Sequence, residues 1–124
     1  MTCFISVIDR DFRITERNRL FKEYFGGDDG IYCYKVVKHR EAPCEACPVA
    51  ATFEDGQFHQ METVVTARSG RPYDVLIHTA PIRDADGEIT HVMEVATDIT
   101  AVRELQDRLT SLGLLIGSVS HGIK

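Results

Sequence analysis

The sequence predicts an α+β fold, a sheet with small helices packed on one face and one long helix after it. Three observations predict it. Two short strand-like runs open the chain, three more follow in its second half, and the C-terminal segment changes to a helical period. Strands first and last, with short helical patterns between them, place the helices against one face of a sheet.

Cys3-Phe4-Ile5-Ser6-Val7-Ile8-Asp9 is apolar and partly β-branched, which reads as a strand. Asp9-Arg10-Asp11 supplies turn chemistry, and Phe12-Arg13-Ile14-Thr15 reads as the returning strand. Asn18 is placed to cap a helix over Arg19–Phe25, because its side chain accepts from free backbone N–H groups. Gly26-Gly27-Asp28-Asp29-Gly30 stops that helix. The stretch from Ile31 to Pro48 shows no periodicity and is expected to be irregular. Pro48 suits the first turn of a short helix over Val49–Glu54, and Asp55-Gly56 ends it. Met61–Ala67, Tyr73–Pro81 and Ile89–Thr97 are strand-like runs, joined by turns at Ser69-Gly70 and at Asp84-Ala85-Asp86-Gly87. Three hairpin-linked strands make an antiparallel meander.

The last segment repeats differently. Val102, Leu105, Leu109, Leu112, Ile116, Val119 and Ile123 recur at alternating intervals of 3 and 4, an a/d seam. A helix packed on its own sheet usually carries a wider apolar stripe. The spacing therefore favours a parallel coiled coil between two chains, with Gly113 and Gly117 weakening its later turns.

With 124 residues and 44% hydrophobic content, the chain is the size of one globular domain with its own core. No apolar run approaches the ~20 residues that span a bilayer, and Met1-Thr2-Cys3-Phe4 lacks the pattern of a signal peptide. A cytoplasmic location is expected. The net charge of −5 argues against a nucleic-acid partner, which needs a basic face. Arg13, Arg17, Arg19 and Lys22 read as a solvated helix edge. No nucleophile–base pair is evident, so no hydrolytic chemistry is expected.

The order of elements resembles a PAS sensor domain over about residues 3–100. Ile5-Ser6-Val7-Ile8-Asp9 looks like that family's opening strand, and Ile14-Thr15-Glu16-Arg17-Asn18 resembles its I-T-x-x-N entry to the first helix. Gly87-Glu88-Ile89 looks like its last hairpin, and Asp98-Ile99-Thr100 resembles the D-I-T that closes many such domains before a signalling helix. The resemblance implies a five-stranded antiparallel sheet. Ser118-Val119-Ser120-His121-Gly122-Ile123-Lys124 resembles the phosphoacceptor box of two-component sensor histidine kinases. There the histidine sits on a dimeric helical hairpin, takes the γ-phosphoryl of ATP, and serves a response-regulator receiver domain. With Ile116 at a and Val119 at d, His121 falls at the exposed f position. Gly122 departs from the family, which usually has an acidic residue after the histidine. The organisation so implied is a sensor domain over residues 1–100, then a signalling helix over 101–124 that enters the phosphoacceptor helix. The resemblance also implies a fragment ending inside the box, with ATP bound only by a kinase lobe beyond Lys124. The chain alone is not expected to phosphorylate itself.

Cys33, Cys44 and Cys47 are the remaining cluster. Cys44-Glu45-Ala46-Cys47 is a Cys-x-x-Cys pair, a spacing that lets two thiolates reach one tetrahedral metal. Cys33 offers a third ligand, and Cys3 or His39 a fourth, a set that suits zinc or an iron–sulfur cluster. The same residues suit a dithiol–disulfide sensor, or simply small side chains buried in an irregular loop. Either sensing role would make the chain a cysteine-based PAS sensor with some other output. Pro48 after Cys47 argues against c-type haem attachment. The Asn-Cys-Arg-Phe motif of flavin-binding PAS relatives is absent, since Cys33 lies between two tyrosines. His78 and His91 fall in strands, where exposed or satisfied side chains are expected. Glu62, Asp74 and Glu94 are strand carboxylates with no evident partner.

Overall fold

A computed structural model describes residues 2–27 and 30–113. The opening hairpin is β1 (Cys3–Asp9) and β2 (Ile14–Arg17). β2 begins two residues later than the sequence suggests. Asp9 is the reason: its Oδ1 accepts from the N–H of Asp11 at 2.9 Å and of Arg13 at 3.0 Å. That pair widens the turn and puts Phe12 in a left-handed conformation, φ 65°.

The helix α1 (Arg19–Phe25) forms as expected. Asn18 Oδ1 accepts from Phe21 N–H at 3.0 Å, and also from Ile5 N–H at 3.1 Å. Its Nδ2 donates to the Cys3 carbonyl at 3.1 Å. One side chain thus caps α1 and ties it to β1.

The segment expected to be irregular contains a helix, α2 (Cys33–Lys38). Its apolar pattern is too short to show a period, and tertiary contacts form it. Cys33 N–H donates to the Phe12 carbonyl at 2.8 Å, and Val36 is buried. α3 (Pro48–Asp55) follows with Pro48 in its first turn. Gly56 closes α3 at φ 69°, donating its N–H to Thr52 O; a Cβ there would meet Arg83 Nη2 at 2.7 Å.

The meander is β3 (His59–Thr66), β4 (Pro72–Arg83) and β5 (Ile89–Asp98). All neighbours pair antiparallel, in the order β2-β1-β5-β4-β3, so the last strand is the central one. This is the expected five-stranded sheet with helices on one face. Phe4, Ile8, Val75, Ile77, Val92 and Ala96 alternate onto the inner face, where Phe21 and Phe25 of α1 and Val49 of α3 cover them.

α4 (Thr100–Ser111) leaves directly from β5. Its base is fastened by Ile99 N–H to Asp74 O at 2.8 Å, and by Asp74 N–H to Thr100 Oγ1 at 3.0 Å. Arg103 adds an ion pair to Glu62 on β3 at 3.3 Å. Val102, Leu105 and, just past the helix, Leu112 of the seam are 44%, 52% and 68% exposed, and Leu109 is half-buried, so most of the apolar stripe is not covered by the sheet. Ile116, Val119, His121 and Ile123 lie outside the described residues. No helix among the described residues is long and apolar enough to cross a membrane.

Candidate functional site

The three clustered cysteines arrive by different routes. Cys33 is the first residue of α2, Cys44 lies on the irregular arm between α2 and α3, and Cys47 is the residue on which α3 starts. Their side chains line one small cavity of about 40 Å³ beneath α2 and α3. Its other walls are mostly apolar: Val37, Pro48, Met61, Val65 and Ile77. Thr52 fastens α3 over the sheet, with Thr52 Oγ1 and Thr79 Oγ1 2.7 Å apart and both residues buried.

Glu94 enters the same cavity from the sheet. It stands on the inner face of β5, between Val92 and Ala96, and pairs in register with Ser6 on β1 and Thr79 on β4. Glu94 is half-buried there, and a carboxyl on a sheet's inner face is costly to ionise because solvent reaches it only in part. Burial pushes its pKa up to about 7, against a smaller opposing pull from the Lys38 ammonium. No hydrogen bond or ion pair holds Glu94 among the described residues.

Burial also pushes the Cys33 thiol well above its usual range, with further push from Glu94 and the other two cysteines. Burial raises Cys47 as well, against backbone hydrogen bonds from Ala50 and Val49. Thiols kept protonated at neutral pH are slow nucleophiles, so fast peroxide-type oxidation is disfavoured in this state. All four cysteines are free thiols. Among the described residues no group of three or more His, Cys, Asp or Glu is arranged to hold a metal ion as it stands.

Neither expected fourth ligand joins the cluster. Cys3 points to the other face of the sheet, where its Sγ lies 3.7 Å from Thr97 Oγ1. His39 ends α2 at φ 54°, and its Nε2 bonds the Thr66 carbonyl at 3.0 Å. His78 and His91 also alternate to the outer face, opposite buried Ile77 and Val92. Glu62 has a partner after all, in Arg103.

Lys38 separates this cavity from a second space. Its ammonium donates to Thr63 Oγ1 and to the Val64 carbonyl, on the far strand of the sheet. Beyond it lies an open groove of about 400 Å³ at the foot of α4, lined by Glu62, Asp74, Ile99 and Arg103. The groove is the larger and more open of the two; the cysteine cavity is smaller, and its accessible wall is almost wholly apolar.

A family model described as PAS domain matches residues 1–101. The chain belongs to the PAS-domain family. It is a sensory module, a general unit of signal input. Solved structures agree on the fold. An RNA-binding light-oxygen-voltage receptor superposes with a TM-score of 0.72 at 20% identity, covering 95% of this chain and 35% of its own. The Vibrio cholerae VqmA dimer gives 0.65 at 16% identity, over 82% of this chain and 48% of its own. The PAS domain of Bordetella pertussis BvgS gives 0.56 at 23%, over 90% and 86%. This PAS domain thus spans about a third to a half of the first two. No curated protein sequence matches it.

Glu94 is the residue that sequence reasoning passed over. The pattern Val92-Met93-Glu94-Val95-Ala96 alternates, but both faces carry apolar residues. Only the observation that β5 is central, with Val92 and Ala96 inward, turns Glu94 into the cavity.

Proposed function

We propose that this PAS domain is the signal-input and dimerisation module of a two-component sensor histidine kinase. A stimulus acts at the cysteine–Glu94 cavity, and the change travels through α4 toward the phosphoacceptor His121. The observation that carries the reading is α4 itself. It continues the central strand that bears Glu94, its base is clipped to β3 and β4, and its apolar seam is exposed. An exposed a/d seam fits pairing with the same helix of a second chain. Lys38 links the two, since it borders both the cavity and the groove where Arg103 meets Glu62. The ligand then biases two packings of the helix pair by its differential affinity. The resemblance of Ser118–Lys124 to the phosphoacceptor box supports the kinase output.

The test uses the full-length protein with radiolabelled ATP. An acid-labile label that is lost in His121→Gln, with dimerisation intact, is the expected result. A label that persists in that variant, or one stable to acid, refutes it. A second reading keeps the sensory cavity but joins it to a different output. Its support is that the similar structures include an RNA-binding receptor and a VqmA complex with ligand and DNA.

A further inference from the structure

Four groups face one small, mostly apolar cavity. Cys33, Cys44 and Cys47 bring three sulfurs from α2, the connecting arm and the residue that precedes α3. Glu94 brings a carboxyl from the central strand, with no protein hydrogen bond or ion pair to satisfy it. A disulfide would use two of the sulfurs and leave the third and the carboxyl unexplained. A volume of about 40 Å³ is far below the several hundred Å³ of organic-cofactor pockets, so the cavity as it stands suits a small ligand better than haem or flavin. It also gives little room for an iron–sulfur cluster. A single ion remains, and a set of three thiolates and one carboxylate suits a borderline-soft divalent cation.

We propose that Cys33, Cys44, Cys47 and Glu94 form a binding site for one zinc-class divalent ion, which is the stimulus this domain detects. The second part rests on the reading of the cavity as the sensing site; the first does not. Binding displaces the thiol protons to solvent, and the metal–sulfur bonds replace the S–H bonds with no change of oxidation state. The four groups ring the cavity without yet converging on one point. The arm over residues 39–46 must therefore close, carrying Cys44 toward the other three. Pro43, Glu45 and Ala46 on that arm are exposed, so nothing packed over them opposes the movement. Closure pulls on α2, which ends in Lys38, and so reaches the groove at the foot of α4.

The experiment is calorimetric titration of reduced, chelator-treated protein with zinc chloride. One ion per chain is expected to bind. Cys44→Ser, Cys47→Ser and Glu94→Gln are each expected to weaken it, the cysteine changes by ~100-fold or more and Glu94→Gln by ~10-fold or more. Cys3→Ser, on the opposite face, is expected to bind as the native chain does. Circular dichroism confirms that each variant folds. Cobalt in place of zinc is expected to show the intense visible bands of a tetrahedral thiolate site. Trypsin cleavage after Arg40 is expected to slow when zinc is bound. No binding by the native chain overturns the site. Full binding by Cys44→Ser or Cys47→Ser also overturns it, and unchanged binding by Glu94→Gln overturns the carboxylate's role. Zinc binding that leaves trypsin cleavage and full-length autophosphorylation unaltered overturns the sensing part alone. None of the binding outcomes depends on His121, so failure of the kinase reading is seen separately.

Discussion

Replacing Glu94 by Gln is expected to change how stability depends on pH. The carboxyl is held at about 7 in the folded chain, against 4.5 as its ordinary value. The difference of 2.5 units, at about 1.36 kcal/mol each, makes the ionised group about 3 kcal/mol worse off in the fold. Below about pH 4.5 both folded and unfolded chains carry the proton, and Glu94 costs nothing by ionising. Between about pH 4.5 and about pH 7 the unfolded chain loses it first, so stability falls as pH rises. Above about pH 7 the full penalty applies. The titratable groups that share the cavity with Glu94 are Cys33, Tyr34 and Lys38 from α2, Cys44 from the arm and Cys47, the residue that precedes α3. Of these, the Lys38 ammonium opposes the effect. Glu94→Gln keeps the shape and removes the titration. In chelator and reductant, urea midpoints of the two proteins should agree near pH 4.5. They should separate by about 1–3 M above pH 7, with the variant the more stable. Parallel curves across that range would show that Glu94 is solvated and not in the cavity wall.

Three further outcomes are expected. Changing Leu105 and Leu109 together to Asp places charge in the α4 seam and should convert a dimer to monomers by sedimentation; an unchanged dimer would place the contact elsewhere. Phe4→Ala removes a ring 2% exposed, 4.9 Å from the Phe25 ring centre and 5.1 Å from that of Tyr24, and should cost about 3–5 kcal/mol in chemical denaturation. Asn18→Ala removes the cap of α1 and both ties to β1, and should cost about 2 kcal/mol, the upper end for a lost cap; a loss of a few tenths would show that water replaces all three bonds.

Several elements were legible in the sequence because their causes are local. The α1 cap depends on Asn18 and the residues just after it, and the meander on turn residues between alternating runs. Pro48 and Gly56 bound α3 by their own backbone preferences. The heptad spacing marked α4, described over Thr100–Ser111; the seam positions from Ile116 onward lie outside the described residues. The order of elements sufficed for the one-sided sheet. The helix α2 was not legible, because six residues are too few to show a period and its start is set by a bond from Cys33 to distant Phe12.

By itself, then, the sequence determined the strands, the capped helices, the family and the candidate cysteines. Each of those is set by residues close together in the chain. Tertiary structure alone decided which groups share the cavity. Cys3 and His39 look equally eligible as ligands, yet strand alternation sends Cys3 to the far face, and the turn that ends α2 gives His39 to a backbone carbonyl. Glu94 lies nearly fifty residues beyond Cys47 and reads as an ordinary strand carboxylate. It becomes the one acidic group in the cavity wall because the last strand inserts between β1 and β4, and its register turns position 94 inward. Side-chain direction along a strand follows local alternation, but which of the two faces is buried depends on what the rest of the chain packs against it.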